Sequence, residues 1–426
     1  KEGDAVQGKG AQARYATLPA REMTSVQVAH LRSRFELAER SVVAERAVVL
    51  TNAALSAWEA EHGPRRLQPG QMLWEVGGKR VVLPLYDAAW VRRLAEGVSV
   101  EAVRTHIEIE RVNALLEVDP RGTVEDLWRL LDQRRLPLAQ GRKEAGFLPP
   151  EPLGEDGLRA VPRRPEGTVN VPKPVAERVV GELVSGYGCR PAQAEAMVAA
   201  VAEIRAWCCP AEDELEPGQL VWVCRSTRRT RGLDPRAMVP AVLTLITPQE
   251  AEAPLRTRTD LKALKIRQIE RITAEAWRQD AVLTTLDLEW LLGIPPTMIR
   301  ELLEAYQAEF GIVLPTAGTV LDMGRTLTHK ALVVELALGG LSTREIARRI
   351  YHTPEAVDAY LRVFDRAVML RYFGVPASAM PRITGHSPGL LKEHLELIEK
   401  HLPTREAMAS YLGQRGVKVE ELGSGP

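Results

Sequence analysis

The chain carries one octet twice, LQPGQMLW at residues 67–74 and LEPGQLVW at residues 215–222. In each copy a Pro-Gly turn leads into an apolar run that ends in tryptophan, a pattern typical of the first strand of a β-hairpin. Each octet follows a helical stretch that closes with Ala-Trp, at residues 57–58 and 206–207. The repeat therefore predicts two copies of one unit, each with helices before a small hairpin.

Two further matches follow the octets in the same order. IERV at 109–112 matches IERI at 269–272, and TVEDLW at 123–128 matches TLDLEW at 285–290. The offset grows from 148 residues at the octets (67 to 215) to 162 at the last match (123 to 285), as loop insertions in the second copy would make it. We therefore predict duplicated helical and hairpin units at residues 20–147 and 175–316.

Turn signals place the boundaries of these elements. Apolar residues recur at helical spacing over 175–207, and Tyr187-Gly188-Cys189 interrupts them as a turn between two helices. Gly77-Gly78 separates two short β-like runs, which predicts a tight hairpin. Residues 148–174 are rich in proline, so we predict an exposed, poorly ordered linker there.

Composition narrows the class of protein. Lys plus Arg and Asp plus Glu are both 56, so the net charge is zero and binding by bulk charge, as in histones, is not expected. The four cysteines form no CxxC pair, which argues against a metal site or a bound cofactor. No His-Glu-x-x-His or nucleophile triad is present, so a non-enzymatic role is expected. No apolar run reaches about 18 residues, and a cytoplasmic location without membrane contact is predicted.

The C-terminal third predicts a separate helical module at residues 325–402. A first helix stops at Gly339-Gly340, and Ser342 with Glu345 then forms a capping-box pattern at the start of a second, short helix. Thr353-Pro354 supplies an N-cap and a first helical residue for a third helix. Short helices joined by a tight turn, with the small residue Ala347 at their crossing, are typical of a helix-turn-helix. The predicted fold class is therefore mainly α, with tandem helical units and small β-hairpins followed by a C-terminal multi-helix-turn-helix module.

The run LSTREIARR at 341–349, together with residues 353–361, resembles the helix-turn-helix of LuxR-type regulators and of sigma-factor region 4. The resemblance covers about 40 residues. The run HTPEAV at 352–357 also resembles an uncharacterised prokaryotic family catalogued only as a domain of unknown function. The helix-turn-helix resemblance implies a third helix that enters the major groove of double-stranded DNA. In one departure, Asp358 stands where LuxR-type reading helices usually carry a basic residue.

The helix-turn-helix register predicts the DNA contacts. Glu355, Ala359 and Arg362 are expected to face base edges, beside the N-cap Thr353, while Arg344 and Arg348 on the supporting helix approach phosphates. A second copy of the motif lies 34 residues further on, with a supporting helix at 378–384. Further expected DNA contacts are Ser387, Lys392 and His394 in this second copy, and Arg225, Arg228, Arg229 and Arg231 in an arginine-rich loop.

A third candidate is a winged helix-turn-helix at residues 288–306. The stretches 312–315 and 319–321 are predicted to form its two-stranded wing.

Two functions fit these patterns. The first is a DNA-binding protein, either a transcriptional regulator or a factor associated with mobile elements. The alternative is a non-enzymatic protein-interaction scaffold built from the duplicated helical units. A homodimer and a heterologous protein partner are both open at this point. The capping box, the turn and the paired reading helices favour DNA, whereas the neutral charge and Asp358 favour the scaffold.

Overall fold

A computed structural model describes residues 15–37, 40–122, 138, 147–153, 169–227, 238–321, 328–351 and 354–417. The protein is mainly helical, with a small antiparallel sheet of hairpins, which confirms the predicted fold class. The chain divides into two compact units, which we call unit 1 (Lys1–Ala305) and unit 2 (Tyr306–Pro426).

Unit 1 contains the sheet and most of the helices. After a 3-10 turn at Leu18–Arg21, its elements in chain order are α1 (Met23–Arg34), α2 (Ser41–His62), β1 (Gln71–Val76), β2 (Lys79–Pro84), α3 (Ala88–Arg92), α4 (Val100–Val118), α5 (Lys173–Tyr187), α6 (Pro191–Cys208), β3 (Gln219–Ser226), β4 (Met238–Thr244), α7 (Pro248–Glu252), α8 (Arg258–Arg278), β5 (Ala281–Val282) and α9 (Thr285–Leu292). Another 3-10 turn, Glu212–Glu214, precedes β3. Helix α10 (Pro296–Phe310) continues into unit 2.

The two octets meet at the centre of one sheet, whose strand order is β2-β1-β3-β4, with β5 paired to β3. Each octet starts the first strand of an antiparallel hairpin, and the two hairpins join where Met72 pairs with Leu220. The Gly70 N–H donates to the Val221 carbonyl at 2.8 Å, and the Gly218 N–H donates to the Leu73 carbonyl at 2.7 Å. The two copies thus exchange equivalent hydrogen bonds.

Both Pro-Gly turns require glycine for two reasons. Gly70 and Gly218 have φ of 81° and 88°, in the left-handed region that side chains disfavour. A Cβ on Gly70 would lie 2.4 Å from Tyr86 Cβ, and one on Gly218 would lie 1.7 Å from the Ile246 carbonyl oxygen. The repeated sequence therefore marks two places where a glycine packs closely against a neighbouring residue.

The remaining elements of unit 1 follow the same order twice. Helices α1 and α2 pack with α5 and α6 around one apolar core, in which Ala47, Leu183 and Met197 are fully buried. The predicted turn between α5 and α6 is present, with Gly188 left-handed at φ 63°. After each hairpin comes a short capped helix (α3 or α7) and then a long one, so that α4 packs on β2 and α8 packs on β4. The duplicated segments share this core and sheet inside unit 1. The third sequence match, at 123–128, lies outside the described residues.

Side chains of α8 cover the outer edge of β4. Gln279, just after the helix, bonds both backbone groups of Val242, accepting from its N–H at 2.9 Å and donating to its carbonyl at 2.8 Å. The Thr244 N–H donates to Glu275 at 2.6 Å, and Arg271 donates to the Thr244 carbonyl at 2.8 Å. Exposed strand edges invite pairing with other chains, and these polar side chains occupy the groups that such pairing would use.

A buried ion pair fastens the 3-10 turn at Leu18–Arg21 to α9. Arg21 Nε donates to Asp287 Oδ1 at 2.9 Å, and both side chains are almost fully buried. Asp287 also accepts from the Thr284 N–H at 2.8 Å and from Trp222 Nε1 at 3.1 Å. Burial alone raises the pKa of Asp287. The positive charge of Arg21 and the hydrogen bonds from Arg21 and Thr284 have a larger opposite effect and hold this pKa below its ordinary value.

Part of the predicted linker is described by the structure. The Leu153 N–H donates to Glu270 Oε1 on α8 at 2.7 Å, so this end of the 148–174 stretch is anchored to unit 1. The other end enters α5 at Lys173. Residues 154–168 lie outside the described residues, and their predicted exposure stays a prediction.

Unit 2 consists of helices around one long central helix. Its elements after α10 are α11 (Ala317–Val320), α12 (Thr328–Leu338), α13 (Thr343–Arg349), α14 (Pro354–Tyr372), α15 (Met380–Thr384), α16 (Pro388–His401) and α17 (Arg405–Gln414). Helix α14 packs against α12, α13, α15, α16 and α17. On its C-terminal side, Asp365 accepts from the Tyr411 hydroxyl at 2.6 Å and pairs with Arg415 at 3.3 Å, which ties α17 to α14.

The predicted wing is wrong. Residues 317–320 form the short helix α11 instead of the second strand of a hairpin. Thr316 is its N-cap, and its hydroxyl oxygen accepts from the Thr319 N–H at 3.3 Å. A local side-chain cap therefore overrides the β propensity of Val320 and its neighbours.

Candidate nucleic-acid interface

Local sequence signals start and stop the supporting helix α13. Gly340, at φ 88°, ends the turn after α12, where only glycine adopts that conformation without strain. The Ser342 hydroxyl accepts from the Glu345 N–H at 3.3 Å, and the Glu345 carboxylate accepts from the Ser342 N–H at 2.8 Å. This is the predicted capping box. The hydrogen bonds from Ser342 lower the pKa of Glu345.

Apolar residues hold α13 against α14. Ile346 and Ile350 of the supporting segment are fully buried, in one core with Leu361 and Phe364 of α14. Ala347 is also buried there, and its small side chain lets the two helices approach closely. The pattern of buried positions is the one that the helix-turn-helix register predicts.

The turn between the two helices contains a left-handed residue. Tyr351 has φ 54°, a conformation uncommon for residues other than glycine, and α14 then begins at Pro354. His352 and the predicted N-cap Thr353 lie outside the described residues, so the cap at this position stays a prediction. Proline at the first helical position fits because its missing N–H has no partner in a helix at that point.

The described contact residues predicted for the first motif are exposed, with one exception. Arg344 and Arg348 of α13 are exposed, as are Glu355 and Arg362 of α14, whereas Ala359 is half-buried between the latter two. We call the surface formed by Glu355, Ala359 and Arg362 the reading face. Its residues are three and four positions apart, so they lie on one side of α14.

Asp358 does not stand free on this surface. Its carboxylate accepts a hydrogen bond from the Thr343 hydroxyl, with Oγ1 and Oδ1 3.0 Å apart. Thr343 is the first residue of α13, so the bond connects the start of the supporting helix to the second turn of α14. The acidic departure from the LuxR-type pattern therefore has a structural role between the two helices.

The second motif presents fewer of its predicted contacts. Helix α15 ends at Gly385, which is left-handed at φ 74°, and Ser387 caps α16 by accepting from the Leu390 N–H at 3.3 Å. Ser387 and Lys392 are exposed, and Lys392 lies 3.8 Å from Glu396. His394, in contrast, is 2% exposed, with its ring 5.6 Å from that of Phe364.

The burial of His394 argues against its predicted base contact, because so little of the side chain faces solvent. A sequence signal for this was present: Leu391, His394 and Leu397 recur at three-residue spacing, as the buried stripe of a helix does.

The arginine-rich loop is only partly described. Arg225 belongs to β3, is 7% exposed, and has its pKa lowered by burial and by the charge of Arg21. A buried strand position is unsuited to a phosphate contact, which corrects the expectation for Arg225. Arg228, Arg229 and Arg231 lie outside the described residues.

Sequence reasoning missed the polar groups that unit 1 buries most deeply. Asp287 is fully buried and Glu275 is 1% exposed, and the sequence analysis identified neither. A signal existed for Asp287, since Thr284-Thr285-Leu286-Asp287 is a capping-box pattern. Within the residues that the structure describes, no three His, Cys, Asp or Glu side chains are grouped as metal ligands would be. No helix in that same part of the chain combines the length and the apolar character needed to cross a membrane.

Comparison with known proteins gives a family without an assigned activity. Residues 193–397 match the family described as "Protein of unknown function (DUF1670)", from within α6 to within α16. The match thus includes the second hairpin and the two segments predicted to be helix-turn-helix motifs. No helix-turn-helix family matches, so the resemblance to LuxR-type regulators stays a prediction. No curated protein and no solved structure matches the chain.

Proposed function

We propose that unit 2 binds double-stranded DNA through α13 and α14, and that the protein is a transcriptional regulator or a factor associated with mobile elements. The observation that carries this proposal is the reading face, exposed on a helix that a capped supporting helix holds in place. The N-terminal part of α14 would enter the major groove, while α13 crosses the backbone.

The charges around the reading face suit a polyanion. Residues 342–366 contain five arginines and four carboxylates. Three of those carboxylates (Glu345, Asp358 and Asp365) accept hydrogen bonds inside unit 2. Among the described residues, Arg344, Arg362 and Arg366 take part in no ion pair, and all three are exposed. DNA phosphates would supply the negative charges that pair with these arginines.

A mobility-shift titration at two salt concentrations tests the proposal with mixed duplex DNA. Affinity should fall steeply as salt rises, because each phosphate contact releases counterions. Arg344→Ala should weaken binding to all sequences alike and flatten the salt slope by about one unit. Arg371→Ala is the control for the loss of an exposed arginine, since Arg371 lies on α14 two turns or more beyond Arg362. Absence of any shift at micromolar protein, or equal effects of the two variants, would reject the proposed interface.

A protein-interaction scaffold is the second candidate, and exposed apolar side chains favour it. Phe373 and Ile383 of unit 2 are 43% and 58% exposed, although both are large and apolar. Side chains of this kind mark interaction sites when they form a patch. If DNA binding is absent, Phe373→Ser and Ile383→Ser should reduce capture of a protein partner without changing the circular dichroism spectrum.

A further inference from the structure

We propose that the reading face selects two G·C pairs about three base steps apart, one through a cytosine bound by Glu355 and one through a guanine bound by Arg362. This inference rests on the proposed function. It adds the chemistry of the DNA that the interface would prefer.

The spacing of the two charged residues fits the spacing of bases. Glu355 and Arg362 are seven positions apart, and a rise of 1.5 Å per residue places them about 10.5 Å apart along α14. Seven residues are close to two helical turns, so both side chains leave the helix on the same side. Three base steps of about 3.4 Å span nearly the same distance.

The chemistry of each side chain selects a different group in the major groove. A carboxylate only accepts hydrogen bonds, and the N4 amino group of cytosine is the donor that Glu reads there. The guanidinium of Arg362 only donates, and it matches the O6 and N7 acceptors of guanine in a bidentate contact. Both side chains are exposed, so neither has to leave the core to make these contacts.

The residues around this pair allow the close approach that base reading needs. Ala359, between them on the reading face, carries only a methyl group and leaves the groove floor accessible. Asp358 is held by Thr343 at 3.0 Å, which ties its carboxylate to the supporting helix. The reading face therefore presents an acceptor, a small apolar group and a donor in succession.

Selection from a pool of randomised duplexes tests the inference, with the bound fraction sequenced for the parent and for two variants of the full chain. The parent should enrich two G·C pairs three steps apart. Glu355→Gln should convert the first preference from cytosine to adenine, because an amide both donates and accepts and therefore matches adenine N6 and N7. Arg362→Ala should abolish only the second preference, with a loss of roughly 5- to 140-fold for the selected duplex against one mismatched there.

The outcomes separate this inference from the function on which it rests. If the parent retains no DNA even at low salt, the proposed function fails and the inference fails with it. If the parent binds DNA in a salt-dependent way but both variants enrich the parent's sequence, DNA binding stands and the base assignment is overturned. A switch of preference in Glu355→Gln would support the assignment in a way that a purely structural role of Glu355 does not produce.

Discussion

Removing one partner of the buried pair between Arg21 and Asp287 should be among the most destabilising single substitutions in unit 1. Replacing Asp287 with leucine leaves the Arg21 guanidinium 3% exposed and without its carboxylate. It also removes the acceptor of the Trp222 indole N–H and of the Thr284 N–H. Breaking a buried pair by removing one partner costs about 3–5 kcal/mol, and we expect Asp287→Leu to lose that much.

The tryptophans provide a selective assay for this effect. All eight, at positions 58, 74, 90, 128, 207, 222, 277 and 290, belong to unit 1. Intrinsic tryptophan fluorescence during urea unfolding therefore follows unit 1 alone. A loss of this size is a large share of the usual 5–15 kcal/mol, so the midpoint should shift clearly toward lower urea.

A double variant distinguishes the cost of a lone charge from the cost of lost packing. Arg21→Met combined with Asp287→Leu removes both charges, and most of the lost free energy of unfolding should return. Glu45→Ala, which breaks the exposed pair between Arg32 and Glu45, should change the free energy by less than about 1 kcal/mol. The reasoning fails if Asp287→Leu lies within about 1 kcal/mol of the parent, or if the double variant is less stable than the single one.

Three further predictions concern pH, a helix cap and a turn. The pKa of Asp287 is lowered in the folded state from its ordinary 3.8, so the contribution of its charge to the stability of unit 1 is complete above about pH 4 and is lost as the pH falls below that value. Asp287→Asn should flatten this part of the profile of stability against pH, measured by tryptophan fluorescence. Ser342→Ala should cost about 1 kcal/mol locally and speed hydrogen exchange of α13 amides roughly fivefold, whereas Ser387→Ala should act on α16 and leave α13 unchanged. Gly218→Ala should destabilise unit 1 by more than the roughly 1–2 kcal/mol of left-handed strain, because its Cβ would meet the Ile246 carbonyl. Gly78→Ala is the control that measures the strain alone, since Gly78 has φ 76° and open space around it. Equal urea midpoints for the two variants would contradict the steric argument.

The elements that the sequence predicted well are those with local signals. The Gly77-Gly78 hairpin, the turn at Gly188 and the Ser342 capping box each depend on residues within about four positions of one another. Hydrogen bonds at this range are encoded by residue type, so a single sequence is enough to predict them.

Contacts between distant segments could not be predicted in this way. Nothing in a single sequence indicates that Arg21 meets Asp287, 266 positions away, or that β1 pairs with β3 rather than only with β2. The same limit explains Arg225, whose strand is buried along its whole length and therefore lacks the alternation that marks an exposed side. Asp358 looked like a misplaced charge because Thr343, its partner, lies on another helix.

The exchange of hydrogen bonds between the two octets bears on the ancestry of the chain. Two copies of a half-length ancestor, each with one octet, would complete one another's sheet through the same glycine contacts, as subunits of a two-fold symmetric dimer do. Gene fusion would convert that dimer into one polypeptide and hold the halves together at high effective concentration. Each half could then diverge: Glu275 and Gln279 cover the edge strand of the second half, whereas Leu115 and Asp119 occupy the matching positions of the first. Unit 1 therefore has the arrangement that fusion of such a dimer would produce.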